Sequence, residues 1–116
     1  MFGVVGALLT APLGADNRLA MRVSPAVAFE PANLVVRTMV EANAENRAIE
    51  IVAESESFYR SSEVQLDGEQ APRVSIFEFR SLPSGSYEVR ATLYGSRGQT
   101  LRSVHQSVSV MAGGGR

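Results

Sequence analysis

Apolar and polar residues alternate with a period of two over most of residues 19–111. That pattern fits strands with one buried face and does not fit a helix, whose apolar positions recur every three to four residues. Leu34, Val36, Thr38, Val40 and Ala42 alternate with Val35, Arg37, Met39 and Glu41, so the first set suits a core and the second a mostly wet face. Ile49, Ile51 and Ala53 repeat the pattern, as do Val64 with Leu66, and Tyr87, Val89, Ala91 with Leu93. Val104, Val108 and Val110 share a parity against His105, Ser107 and Ser109. Between Val74 and Phe79 two parities compete. Phe77 and Phe79 are assigned inward over Val74 and Ile76, because aromatic rings bury more area per residue.

Turn residues separate these runs: Pro31-Ala32-Asn33, Asn43 to Asn46, Asp67-Gly68, Pro83-Ser84-Gly85 and Gly95-Ser96-Arg97-Gly98. Pro25 and Pro31 flank Ala26 to Glu30, a proline density that a central strand rejects, so the first strand is expected to be an interrupted edge strand. Arg47 to Glu56 is rich in helix formers, but Ile49-Glu50-Ile51-Val52 is β-branched at three of four positions and reads as a strand. The pattern predicts an all-β protein: an antiparallel Greek-key β-sandwich of about seven strands. Its expected core is Leu34, Val36, Val40, Ile49, Ile51, Leu66, Phe77, Phe79, Tyr87, Val89, Leu93, Val104, Val108 and Val110.

The first residues stand apart. Phe2 to Leu13 form an apolar run that ends in Gly14-Ala15 before the polar Asp16-Asn17-Arg18. Twelve residues fall short of the about 20 needed to span a bilayer as a helix. Small residues closing such a run are the mark of a signal-peptide cleavage region, although no positive charge precedes it. Residues 1–15 therefore read as a signal peptide, 16–112 as the sandwich domain and 113–116 as a disordered tail. The expected address is the periplasm or the extracellular space, with no transmembrane span in the mature chain.

Composition narrows the chemistry. All 11 basic residues are arginine, against 12 acidic ones, and the net charge is −1. That balance argues against nucleic acid as a partner. With no Cys, the chain has no thiol nucleophile, disulfide framework or thiolate metal site. The lone His105 sits on a polar strand parity among serines, and no nucleophile elbow or phosphate loop is present. Glu54 and Glu56 would stand about 7 Å apart on one strand face, a spacing open to a carboxylate pair but usual for a solvated surface. Arg37, Arg90 and Arg102 fall on outward positions with Glu41, Glu50 and Glu88, where cross-strand Arg–Glu pairs are expected. A sandwich of roughly 100 residues also has little spare volume for a concave site. The expectation is a chain that is not an enzyme and uses no cofactor.

The stretch Leu82-Pro83-Ser84-Gly85-Ser86-Tyr87-Glu88-Val89-Arg90-Ala91 resembles the E–F corner of bacterial immunoglobulin-like and fibronectin type III-like domains. In those families a Leu-Pro-x-Gly-x-Tyr-x-Val stretch carries the chain from one sheet to the other, and the tyrosine hydroxyl bonds back to upstream backbone. The resemblance implies a structural corner of Leu82, Pro83, Gly85 and Tyr87. The chain departs from the antibody pattern in lacking Trp and a Cys pair. Members of these families mostly serve as binding, spacer or assembly modules of envelope and secreted proteins.

The expected function is a non-catalytic exported module contacting another envelope or secreted protein. Aromatic and Arg residues in loops are typical interface anchors, so Phe58, Tyr59, Arg60, Tyr94 and Arg97 are the candidate contacts. Two alternatives stand beside it: an accessory carbohydrate-binding module with Tyr59 and Tyr94 as its platform, and a carboxylate-dependent hydrolase.

Overall fold

A computed structural model describes residues 18–113; the expected signal peptide and the last three tail residues lie outside the described residues. Eight strands form two sheets: β1 (Leu19–Ser24), β2 (Val27–Phe29), β3 (Ala32–Val40), β4 (Ala48–Glu54), β5 (Tyr59–Gln65), β6 (Val74–Leu82), β7 (Gly85–Tyr94) and β8 (Thr100–Met111). Strand order is β1-β3-β6 in one sheet and β2-β8-β7-β4-β5 in the other. A short 3-10 turn at Gly68–Gln70 is the one helical element among the described residues. Within the segment 47–56, Ala48–Glu54 is strand and not helix, because its β-branched run pairs with β5 on one side and β7 on the other.

The interrupted first strand takes a particular form. β1 edges the three-stranded sheet, the chain breaks at Ser24-Pro25, and β2 then edges the other sheet. β2 pairs parallel to β8, the one departure from an antiparallel arrangement among the described residues. This extra short strand raises the expected seven to eight. The two sheets are stitched where the chain changes sheet: the Gln106 side-chain amide donates to the Val23 carbonyl at 3.0 Å and accepts from the Val23 N–H at 3.1 Å.

The core lies between the sheets where the alternation puts it. Every expected core residue is buried except Val104, which is half-buried. Phe77 and Phe79 point inward, leaving Val74 and Ile76 outside. Leu19, Val23, Leu82 and Ala53 complete the interior. Thr38, also fully buried, donates its hydroxyl to the Ser75 carbonyl, so its polar group is satisfied.

The β6–β7 connection carries the chain from the small sheet to the large one. There the Tyr87 hydroxyl donates to the Pro83 carbonyl at 2.8 Å while its ring is 2% exposed. Gly85 has a steric reason: a Cβ at this position would lie 3.2 Å from the Ser55 Cβ. Leu82 is fully buried beside them. Gly113, assigned to the tail, is hydrogen-bonded to the Glu30 carboxylate.

Candidate functional site

The outer face of the three-stranded sheet is built from alternate residues of β1, β3 and β6. Three cross-strand rows cover it: Ala20–Met39–Val74, Arg22–Arg37–Ile76 and Ser24–Val35–Glu78. Four large apolar side chains stand open to solvent here: Ile76 at 59%, Met39 at 43%, and Val35 and Val74 at 38% each. Single exposed apolar residues are ordinary, but four neighbours on one face form a contiguous patch of the kind that marks interaction surfaces. Two shallow cavities open on the same face. One of about 150 Å³ is lined by Ala20, Met21, Arg22, Arg37 and Met39. The second, about 320 Å³, is lined by Ala20, Met39, Val40, Glu41 and Arg73.

The charges on this face do not follow the expected Arg–Glu pairing. Arg37 has Arg22 on one side and Ile76 on the other, with no carboxylate paired to either arginine among the described residues. One Arg37 Nη donates to the Met39 sulfur at 3.3 Å, a weak acceptor. Arg90 does meet Glu88, at 3.1 Å, but within its own strand.

The five-stranded sheet presents the opposite chemistry. Its outer positions include Glu50, Glu54, Glu63 and Glu88, with Arg90 and His105 as the basic members. His105 is exposed, its Nδ1 3.6 Å from a Glu88 carboxylate oxygen. Glu54 ends β4 and Glu56 lies in the following bend, both exposed and lining neither cavity. A second, smaller apolar cluster sits at the β2 edge of this sheet, where Phe29 pairs with Met111 and both are open to solvent, as is Val27.

The sequence-derived contact residues fall in three places. Phe58 packs on the core, its ring edge-on to Tyr87 at 6.3 Å between centroids. Arg60 stacks over the Phe58 ring at 5.1 Å and donates to the Arg80 carbonyl, so both side chains close one end of the sandwich. Tyr59 is exposed opposite Glu54, at one end of β4. Tyr94 lies opposite Ala48, at the other end, its hydroxyl donating to Glu50 at 3.0 Å. That bond to a carboxylate, with some burial, raises the Tyr94 phenol above its ordinary value. Six residues of strand separate the two positions, roughly 20 Å. The tyrosines therefore do not form one platform. Arg97 is exposed at the β7–β8 tip, where its backbone N–H bonds the Gln99 side chain.

Sequence reasoning missed the three-stranded face as a unit. The signal was present in the losing parity of the Val74–Phe79 stretch, but the row that joins Arg22, Arg37 and Ile76 depends on strand register.

No protein-family model and no curated protein matches the sequence. Solved structures share the fold. A superoxide reductase (neelaredoxin) from Ignicoccus hospitalis aligns with a TM-score of 0.64 at 16% identity, over 79% of each chain. The sulfur carrier protein SoxY from Chlorobium limicola f thiosulfatophilum aligns with a TM-score of 0.58 at 11% identity, over 91% of this chain and 98% of that one. A family 76 glycoside hydrolase from a bovine Bacteroides thetaiotaomicron strain aligns at 0.56 and 19%, over 79% of this chain but 20% of that one. These alignments show a shared β-sandwich fold and, at such low identities, carry no activity across.

They do correct one expectation. The expectation that the chain is not an enzyme leaned on the small spare volume of a sandwich this size, yet a superoxide reductase aligns with the same frame over 79% of its own length. A sandwich of this size therefore does not exclude catalysis. Among the described residues, no helix is long and apolar enough to cross a membrane.

Proposed function

We propose that this chain is an exported binding module of the immunoglobulin-like type, and that it holds another envelope or secreted protein against the outer face of its three-stranded sheet. The observation that carries the reading is the contiguous exposure of Val35, Met39, Val74 and Ile76 on that face. Burying such side chains gives roughly 25 cal/mol per Å² of apolar area removed from water, so a partner gains directly by covering them. The immunoglobulin-like assignment draws support from the Tyr87–Pro83 bond at the sheet-crossing corner. Export draws support from the apolar run Phe2 to Leu13 and its small-residue end.

The test is site-specific photo-crosslinking in the cell of origin. A photo-reactive residue in place of Ile76 is expected to capture one envelope or secreted protein. The same residue in place of Ser107, on the opposite face, is expected to capture none. Identical adducts from both positions, or no adduct from Ile76, would remove the reading.

A further inference from the structure

Arg22 and Arg37 are directly opposite across β1 and β3, on the exposed face. Directly opposed residues in an antiparallel pair have backbones about 5 Å apart, and like charges in that relation are destabilising. The usual relief is a carboxylate in a neighbouring row, and here neither arginine has one among the described residues. Glu78, the acidic residue in the adjacent row, is engaged by Arg80 at 3.0 Å. Arg37 spends one donor on the Met39 sulfur, which leaves most of its fork uncommitted. The two arginines line one cavity of about 150 Å³. A water occupies about 30 Å³ of liquid, so this space accommodates a carboxylate with water to spare.

We infer that Arg22 and Arg37 form a carboxylate clamp, and that the partner covering this face is a protein segment in which acidic side chains alternate with apolar ones. The inference rests on the proposed binding role of the same face. The arginines give a planar, bidentate fit to carboxylate. Ile76, beside Arg37 in the same row, and Met39, in the adjacent row, supply the apolar neighbours. A polyanion backbone fits less well, because the molecule has a net charge of −1 and the acids Glu41 and Glu78 stand on the same face as the arginines. A charge pair held at some cost in the free chain and neutralised in the complex is a common trade of stability for function.

The experiment uses the full ¹⁵N-labelled chain, titrated with a capped peptide of alternating Leu and Glu, its Leu and Gln isostere, and inorganic sulfate. The Glu peptide is expected to shift the Nε–H signals of Arg22 and Arg37 and the amides of Met39 and Ile76. It should bind at least about tenfold tighter than the Gln peptide, with an advantage that shrinks as salt rises. The double variant Arg22→Gln, Arg37→Gln should lose that preference while melting no lower than the parent, since its like-charge contact is gone. Equal binding of the two peptides, sulfate binding as tightly as the Glu peptide, or shifts confined to other surfaces would overturn the clamp. The crosslink from Ile76 separates the two readings. If the double variant captures the same protein undiminished, the clamp falls and the binding role stands. If the parent captures nothing, the binding role falls; if it captures a second copy of the chain, the clamp for a foreign segment falls.

Discussion

The two outer faces of this sandwich come from the same alternation and end up chemically opposed. On the five-stranded sheet, Glu50, Glu54, Glu63 and Glu88 share the surface with Arg90, and acids have partners: Glu50 accepts from Tyr94 and Glu88 from Arg90. At the β4 end of this face even an apolar outward residue is covered, as Val52 is only 5% exposed, whereas Val27, Phe29 and Met111 stand open at the β2 edge. On the three-stranded sheet, apolar residues stand open and two arginines face one another with no acid paired to either among the described residues. Neighbouring side chains explain part of the contrast. Val52 lies in register between Ser61 of β5 and Arg90 of β7, whose long chain can lean over it, whereas Met39 on β3 has the short Ala20 and Val74 beside it. The lesson is that outward parity alone does not make a surface inert; what matters is whether neighbouring rows complete its charges and cover its apolar groups.

The largest expected effect breaks this comparison directly. Val52→Asp should destabilise the chain by about 3 kcal/mol or more, because it places an unpaired carboxylate under cover. Ile76→Asp, on the open face, should stay within about 1 kcal/mol. Denaturant midpoints of the two variants measure both, and equal losses would mean that the faces do not differ in cover. Next comes the corner that joins the sheets. Tyr87→Phe leaves the Pro83 carbonyl without its donor and should cost about 1–3 kcal/mol, read from the same midpoints.

Much of this was legible because it was local. The corner spans Pro83 to Tyr87, and its chemistry needs no distant strand. The inward choice of Phe77 and Phe79 follows from side-chain size at adjacent positions. Register was not legible. Tyr59 and Tyr94 look like a pair until the pairing of β4 with both neighbours sets them at opposite ends of the sheet. Arg37 looks like an ordinary surface cation until β1 brings Arg22 beside it. Both outcomes are fixed by long-range pairing, in which a slip of one residue exchanges the faces. Chemistry was not legible for a different reason: the size of a sandwich does not decide it, since the same fold also supports a reductase.

Two smaller effects sharpen the electrostatic side. The Glu50 carboxylate holds the Tyr94 phenol in its neutral, donating form, and raises its ionisation. A phenol raised in the folded chain contributes stability below its unfolded value, and that contribution fades as pH rises through the folded one. Absorbance titration should therefore show the Tyr94 phenol ionising above the ordinary tyrosine value, and Glu50→Gln should lower it. The smallest effect lies at Glu30, whose carboxylate accepts from the backbone N–H groups of Gly113 and Ser84. Those bonds lower its pKa, so its contribution is present above the usual carboxylate range and is lost as pH falls through the depressed value. The melting temperature of Glu30→Gln should match the parent at strongly acid pH and fall slightly below it near neutrality.

The division of one chain segment between two sheets at Ser24-Pro25 has a mechanical side. β2 runs parallel to β8, and Gln106 fastens Val23 to the same strand, so β1 and β2 travel along β8 in its own direction. Leu19 and Met111 consequently lie toward opposite ends of the sandwich. A pull applied between them acts along the β2–β8 ladder, straining its hydrogen bonds together in shear instead of opening them one by one like a zipper. The three-residue β2, slight as it looks, sits on the line along which such tension is resisted.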